Sequence, residues 1–225
     1  LQSKAGIRSG YYDFSKEHLI NSVDEILNRL DTDYIDVLLL HRPDALVEPE
    51  EVADAFNALH SSGKVKQFGV SNHSPYQIEL LKKYVKQDLI ANQLQLSVMH
   101  TGMIDAGVQV NTKQKESIDH DRAILDYCRL NDITVQPWSP VHGPDGVFLN
   151  HPDYSEVNET LKSLADKYDS DHEALAIAWL LRHPAKMQVI LGTMNEKRIR
   201  NYASASGITL SREDWYTVYK AAGNP

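Results

Sequence analysis

The strongest strand signal in the chain is the run Tyr34-Ile35-Asp36-Val37-Leu38-Leu39-Leu40, in which every residue except Asp36 is apolar. A strand with one face in water alternates apolar and polar residues, whereas a parallel strand covered on both faces is apolar almost throughout. The run therefore predicts a parallel strand in the interior of an α/β domain.

Shorter strand-like segments and helical segments alternate around this run. The other strand candidates are Leu1–Ile7, Gln67–Ser71, Ile90–Leu96, Thr134–Trp138 and Met187–Leu191. Ser15 and Ser74 are suitable N-caps, and Pro75 and Gln77 complete a proline-started capping box. The alternation predicts a parallel α/β domain. Six strands fit an open doubly wound sheet as well as part of an eight-stranded barrel.

The composition argues against several classes of function. The 225 residues are 42% hydrophobic and 24% charged, which is ordinary for a soluble globular domain. A formal net charge of -8 argues against nucleic acid and anionic membranes as partners. The single cysteine, Cys128, fits a reducing compartment, and no apolar run is long enough to span a bilayer, so we expect a cytoplasmic protein. The chain opens at Leu1 directly in a strand-like segment, from which we expect that upstream sequence is missing.

Polar or aromatic side chains follow most of the predicted strands. In α/β barrels the carboxyl ends of the strands converge on one site, so we expect these side chains to lie together. The residues at these strand ends are His41, Ser71, Asn72, Asn92, Gln93, Gln95, Trp138, Ser139, Gly192 and Thr193.

Several of these strand ends carry motifs that resemble the aldo/keto reductase family, in its bacterial oxidoreductase branch. The motifs are Gln2-Ser3-Lys4, Leu39-Leu40-His41-Arg42-Pro43-Asp44, Gly63-Lys64-Val65-Lys66-Gln67-Phe68-Gly69-Val70-Ser71-Asn72, Asn92-Gln93 and Pro137-Trp138-Ser139-Pro140. The resemblance implies a (β/α)8 TIM barrel whose first two βα units are missing from this chain, so that residues 1–225 form one incomplete barrel domain. It also implies a nicotinamide cofactor held without a Rossmann fold, and no G-x-G-x-x-G fingerprint occurs.

The resemblance implies that hydride passes between nicotinamide and the carbonyl carbon of an aldehyde or ketone. In the family a tyrosine supplies the proton, a lysine lowers the pKa of that tyrosine, an aspartate pairs with the lysine and a histidine orients the carbonyl. Lys4 matches the lysine and His41 matches the histidine. The tyrosine and the aspartate belong to a family segment before Lys4, and we assign neither role to Tyr11 or Tyr12. As written, the chain is expected to lack its general acid and to turn over poorly.

The cofactor residues of the family match this chain more fully. Ser71, Asn72 and Gln93 match the groups that bind the nicotinamide carboxamide, and Trp138 matches the aromatic residue that stacks on the ring. Ser139 matches the loop near the pyrophosphate. Gly192, Thr193 and Arg198 lie where relatives bind the ribose 2′-phosphate, which favours NADP(H) over NAD(H), although many relatives have a lysine at the position of Gly192. No metal site is expected.

Plainer interpretations of the same residues remain open. Lys4 could be a surface lysine, His41 a capped strand-end histidine, Trp138 a core tryptophan and Arg198 a solvated helix arginine. His73 directly follows Asn72 and could approach the site, but no role is assigned to it. Three functions are therefore weighed: a reductase of small carbonyl compounds, a cofactor-binding regulatory module without turnover, and an unrelated α/β enzyme. The substrate is expected to be set by two long loops, residues 97–118 and 139–154, and by the missing segment.

Overall fold

The computed structural model describes all 225 residues, which form nine α-helices and a parallel β-sheet with two small hairpins. The main strands are β1 (Gln2–Ala5), β4 (Ile35–Leu40), β5 (Val65–Ser71), β6 (Leu89–Gln95) and β7 (Thr134–Trp138), and the hairpin strands are β2 (Ile7–Arg8), β3 (Tyr11–Tyr12), β8 (His142–Gly143) and β9 (Gly146–Val147). The helices are α1 (Lys16–Leu30), α2 (Pro49–Ser61), α3 (Pro75–Lys82), α4 (Gly102–Val108), α5 (Ile124–Leu130), α6 (Ser155–Lys167), α7 (His172–Leu181), α8 (Glu196–Ser204) and α9 (Arg212–Ala221). None of these helices combines the length and the apolar character that a membrane span needs.

Backbone packing divides the chain into two compact units. One unit comprises residues 1–93 and 126–134, and the other comprises residues 94–125 and 135–225. The expectation of a single domain over residues 1–225 stays a prediction.

The first unit is built around a parallel sheet in the order β1-β4-β5-β6. Lys4 pairs with Leu39, Leu39 pairs with Gly69, and Ser71 pairs with Gln93. Leu38, Leu39 and Leu40 are fully buried, so the apolar run is an interior parallel strand as its composition predicts. This register brings the carboxyl ends of all four strands to the same edge of the sheet.

The predicted strand Leu1–Ile7 is wrong in its extent, because the chain leaves the sheet at Gly6. Gly6 has a φ of +106°, a conformation that L side chains rarely adopt. A Cβ at this position would lie 2.2 Å from Cε1 of Phe14, so the ring occupies the space that a side chain would need. The chain then forms the β2–β3 hairpin before α1.

Local sequence signals place the helices that follow these strands. The Ser15 side chain accepts from the backbone N–H of His18 at the start of α1, and Ser74 and Gln77 form a capping box at the start of α3. Gly63, with a φ of +74°, follows the end of α2 as its position predicts. Each of these N-caps lies shortly after the end of a strand, so the helix begins close to that strand end.

Gly69 in the most specific motif block has a packing role. A Cβ there would lie 2.7 Å from the carbonyl oxygen of Ala91 and 2.7 Å from Cδ2 of Leu39. Both neighbours belong to adjacent strands, so only glycine lets β5 fit between β4 and β6.

The second unit contains β7, and residues 187–191 lie alongside that strand. The amides of Gln188 and Ile190 donate to the carbonyl oxygens of Val135 and Pro137, at 3.0 and 2.9 Å. The prediction of a strand at Met187–Leu191 is nevertheless wrong. A parallel ladder would need a return bond from residue 137 to Gln188, and a proline has no N–H to donate.

Two stacked tryptophans join α7 and α9 in the second unit. The rings of Trp179 in α7 and Trp215 in α9 lie 4.6 Å apart and almost parallel. Each indole N–H donates to the backbone carbonyl oxygen of the other tryptophan at 3.0 Å. The two helices are thus fixed by ring contact and by a reciprocal pair of hydrogen bonds.

The two predicted long loops both contain short ordered elements. Residues 97–118 include α4 and a 3-10 turn at Lys115–Ser117. Residues 139–154 include the β8–β9 hairpin and a 3-10 turn at Pro152–Tyr154. Both predicted loops follow strand ends, after β6 and β7.

Candidate active site

Five of the predicted site residues lie together in the first unit, at the carboxyl ends of its four parallel strands. They are Lys4, His41, Ser71, Asn72 and Gln93. The strand register and the hydrogen bonds described next hold them there.

Lys4 of β1 donates a hydrogen bond from Nζ to Oε1 of Gln93 on β6, with a length of 2.7 Å. Two strands, β4 and β5, lie between these residues. In a flat sheet three strand spacings of about 4.8 Å would separate the backbones by about 14 Å, with the side chains standing perpendicular to the sheet. The bond therefore shows that the sheet of this unit is curved and that both side chains project into its concave face.

The Lys4 ammonium lies in an environment that disfavours its charge. Partial burial lowers the pKa of Lys4, and the positive charge of Arg42 lowers it further. The hydrogen bond to the Gln93 amide is to a neutral acceptor, which compensates the charge less than a carboxylate does. A cation held in this way strongly favours any negative charge that develops beside it.

His41 immediately follows β4 and is fixed through its backbone. Its N–H donates to the carbonyl oxygen of Ala5 at 2.8 Å, which ties the end of β4 to the end of β1. Partial burial lowers the pKa of the His41 imidazole, and the nearby charges of Lys4 and Arg42 add to this effect. The ring is therefore neutral at pH 7, and a neutral imidazole has one N–H to donate.

Ser71, Asn72 and Gln93 form one hydrogen-bonded turn. The Ser71 hydroxyl lies 2.9 Å from the carbonyl oxygen of Gln93 and 3.1 Å from Oδ1 of Asn72. The backbone N–H of Asn72 donates to the same Gln93 carbonyl at 3.0 Å. Asn72 has a φ of +58°, a left-handed conformation that asparagine tolerates better than most residues. A hydroxyl and two primary amides thus belong to residues that lie where the end of β5 pairs with β6.

Sequence reasoning assigned no role to the two aromatic residues that pack beside this turn. Phe14 and His73 are 2% and 3% exposed, and their rings are parallel with centroids 6.0 Å apart. Nδ1 of His73 lies 2.9 Å from the carbonyl oxygen of Ser71. The available signals were the position of Phe14 just before an N-cap, typical of a hydrophobic staple, and the adjacency of His73 to Asn72.

The other predicted site residues lie in the second unit. Trp138 ends β7, is half-buried, and accepts a hydrogen bond from the Leu96 N–H through its carbonyl oxygen. Ser139 follows with a φ of +54°, and its carbonyl oxygen accepts from the N–H of His142. Trp138 and Ser139 thus lie at the turn that leads into the β8–β9 hairpin. That Trp138 stacks on the ring bound by Ser71, Asn72 and Gln93 stays a prediction.

Residues 192–198 form the entry to α8. Thr193 Oγ1 accepts from the N–H of Asn195, and Asn195 Oδ1 accepts from the N–H of Arg198. The positive end of the helix dipole and the exposed Arg198 guanidinium lie at this terminus. Gly192 has a φ of +64°, so a lysine at its position would be strained in this backbone conformation.

The two tyrosines that follow Lys4 lie on the β2–β3 hairpin. Tyr11 is 58% exposed and Tyr12 is 45% exposed, and they pair with Arg8 and Ile7. The hydrogen-bond acceptor of the Lys4 ammonium is the Gln93 amide.

Comparisons with known proteins agree with this architecture. The chain is 36% identical over 215 residues to 6-dehydroglucose reductase of Agrobacterium fabrum, a match that covers 96% of this chain and 66% of the relative. It is 33% identical over 233 residues to oxidoreductase YdhF of Escherichia coli, covering 99% of this chain and 72% of the relative. The chain thus spans about two thirds of the length of the curated relatives that it matches.

A solved structure shares the fold. A thermostable aldo-keto reductase, Tm1743, crystallised with the inhibitor epalrestat, has a TM-score of 0.72 at 22% identity, covering 92% of this chain and 67% of that one. This likeness confirms the predicted barrel class, while the prediction of two missing βα units stays a prediction. The family comparison matches residues 1–222. The chain belongs to the aldo/keto reductase family.

Proposed function

We propose that this chain is the cofactor-binding and carbonyl-binding part of an NADP-dependent oxidoreductase that transfers hydride between nicotinamide and an aldehyde or ketone. The observation that carries the proposal is the Lys4–Gln93 hydrogen bond. It joins a predicted catalytic residue to a predicted cofactor ligand across two intervening strands. A surface lysine at a frayed terminus would not form such a contact.

The donor set fits a nicotinamide carboxamide. A carboxamide offers two N–H donors and one carbonyl acceptor, and hydroxyl and amide groups provide both complementary functions. Ser71, Asn72 and Gln93 would hold this group, and Trp138 would stack on the ring. Ser139 would lie near the pyrophosphate. Bound NADPH supplies a hydride to the substrate carbonyl carbon.

Thr193 and Arg198 favour a phosphorylated cofactor. They lie at the N-terminus of α8, where backbone N–H groups and the helix dipole attract anions. A guanidinium binds phosphate oxygens in a bidentate manner. We therefore propose NADP(H) rather than NAD(H), with Gly192 shaping the backbone of this turn.

Lys4 and His41 act on the oxygen of the substrate. As hydride adds to the carbonyl carbon, negative charge develops on the oxygen. The neutral His41 ring donates a hydrogen bond to that oxygen and orients it. The Lys4 ammonium favours the anionic form of an acid placed beside it, which lowers the pKa of a phenol and eases the transfer of its proton.

Residues 1–225 contain no match for the family's tyrosine or for its aspartate. We therefore expect these residues to bind NADPH without rapid turnover. The Lys4 ammonium donates to Gln93 and therefore has a hydrogen-bond partner without a phenol or a carboxylate. This also fits the second function, a cofactor-binding regulatory module.

Titration with NADPH tests the proposal. Nicotinamide fluorescence should shift on addition of the 225-residue chain, and the dissociation constant should rise in a Gln93→Leu variant. His60→Leu, an exposed change on α2, is the matched control. Absence of NADPH binding by the wild-type chain would contradict both functions.

A turnover assay separates the two functions. The first substrate to test is 6-dehydroglucose, which names the Agrobacterium relative. The full-length protein should reduce it and lose that activity in Lys4→Met. NADPH binding without carbonyl reduction in the full-length protein would favour the regulatory module.

A further inference from the structure

Hydrogen bonds and a ring contact join three successive βα loops of the first unit next to the candidate site. Asp44, in the loop after β4, accepts a hydrogen bond from the N–H of Phe14 at 3.0 Å with one carboxylate oxygen. Its other oxygen accepts from the N–H of Leu46 at 2.8 Å. Asp44 thereby ties its own loop to the loop that follows β1.

Phe14, which is bonded to Asp44 through its backbone, also packs in the interior of the unit through its ring. The ring lies directly against Gly6, two residues beyond Lys4, and no side chain fits between them. The ring is also parallel to that of His73 in the loop after β5, with an angle of 6° between the planes. The buried Phe14 therefore connects the strand that carries Lys4 with the loop that carries Asn72.

Two hydrogen bonds of His73 hold the Ser71–Asn72 turn. A carbonyl oxygen can only accept, so Nδ1 of His73 carries the proton and donates to the carbonyl oxygen of Ser71. The carbonyl oxygen of His73 itself accepts from Nδ2 of Asn92 on β6 at 2.8 Å. Burial lowers the pKa of the His73 imidazole to about 4, so the ring stays neutral at pH 7. The two hydrogen bonds thus hold the residues on either side of Asn72, the left-handed residue of the turn.

We infer that His73 is a positioning residue for the nicotinamide-binding turn, held in place by Phe14 and Asp44. The inference rests on the proposed function for the identity of the ligand. His73 does not need to touch the cofactor: it keeps the carbonyl of Ser71 fixed, and so sets the direction of the Ser71 and Asn72 side chains. A residue that only filled the core would contribute through its ring and not through Nδ1.

Two substitutions separate the hydrogen bond from the ring. His73→Phe keeps an aromatic ring against Phe14 but removes the donor. His73→Asn keeps an N–H at the place of Nδ1 but removes the ring. The dissociation constant for NADPH should rise about tenfold in His73→Phe, equivalent to about 1.4 kcal/mol for one lost hydrogen bond. It should stay within about threefold of wild type in His73→Asn, although that variant loses packing and unfolds at a lower temperature.

His172→Phe is the matched control, because His172 also bonds through a ring nitrogen, to Asn150 Oδ1, and lies in the second unit. It should bind NADPH as the wild-type chain does. Binding that follows thermal stability across the three variants, with His73→Asn weaker than His73→Phe, would overturn the inference. So would wild-type affinity in His73→Phe.

Hydrogen exchange provides a readout that does not depend on the cofactor. The Asn72 amide is bonded to Gln93, so its exchange in the cofactor-free chain reports the order of the turn. Exchange should be several-fold faster in His73→Phe and close to wild type in His73→Asn. Unchanged exchange in His73→Phe refutes the positioning role even if NADPH binds. If NADPH does not bind to the wild-type chain, the proposed function fails while this measurement still decides the role of His73.

Discussion

Replacement of Gly6 by alanine should destabilise the first unit through a clash with Phe14. The new Cβ would lie 2.2 Å from Cε1 and 2.6 Å from Cδ1 of a ring that is only 2% exposed. Overpacking of a filled core typically costs about 1–3 kcal/mol. The positive φ of +106° adds a backbone cost of about 1–2 kcal/mol for any residue with a side chain. We therefore expect Gly6→Ala to lower the free energy of unfolding by about 2–5 kcal/mol.

Gly10→Ala is a matched control for the backbone cost. Gly10 lies in the same loop with a φ of +92°, and a Cβ there would meet nothing within 4 Å. Urea denaturation of both variants should show Gly6→Ala less stable than Gly10→Ala by the overpacking cost, about 1–3 kcal/mol. In a Phe14→Leu background, where the shorter side chain can move away from the new Cβ, this difference should shrink.

Equal losses for the two glycine variants would refute the reasoning. They would mean that backbone conformation alone accounts for the effect and that Phe14 moves aside without cost. A difference that persists in the Phe14→Leu background would also count against the clash, because mutations coupled through one contact must be non-additive.

Three further outcomes follow from the structure. The pKa of Asp214 is held at about 2 by hydrogen bonds from Lys167, Tyr168 and Ser211, below the ordinary value of 3.8. Its stabilising contribution should therefore be present above about pH 4 and lost as the pH falls towards 2, and Asp214→Asn should flatten acid unfolding followed by circular dichroism in that range. Arg198→Ala should weaken NADPH binding about tenfold and NADH binding far less, and equal losses in the two titrations would exclude the 2′-phosphate role. Cys128 is buried, which raises the pKa of its thiol to about 12, so a thiol reagent should label it only when the chain unfolds.

Elements specified by local chemistry could be predicted from the sequence. The strand Ile35–Leu40 follows from its nearly continuous apolar run, and the start of α3 follows from the capping residues Ser74 and Gln77. Both signals lie within a few residues of the element that they determine. The placement of Lys4 and His41 at one edge follows equally directly, because the carboxyl ends of neighbouring parallel strands always coincide.

Elements that depend on distant partners could not be predicted. Residues 187–191 have the composition of a strand, but the ladder fails because the neighbouring strand contains Pro137. The early end of β1 at Gly6 depends on where the Phe14 ring lies, and the contact between Phe14 and His73 spans 59 positions of sequence. Periodicity and capping patterns report only on neighbouring residues and therefore do not predict such pairs.

The most specific motif of the chain combines residues that serve the fold with residues that serve the site. Gly63 ends a helix and Gly69 allows three strands to approach, so their presence supports the architecture and not the chemistry. Ser71 and Asn72, at the end of the block, are the residues proposed to bind a ligand. The chemical proposal therefore rests on the contact between Lys4 and Gln93, in which the ammonium donates to the amide oxygen. Under the proposed function the Gln93 amide both accepts from Lys4 and contacts the carboxamide, so that proton chemistry at Lys4 and cofactor binding would be physically coupled.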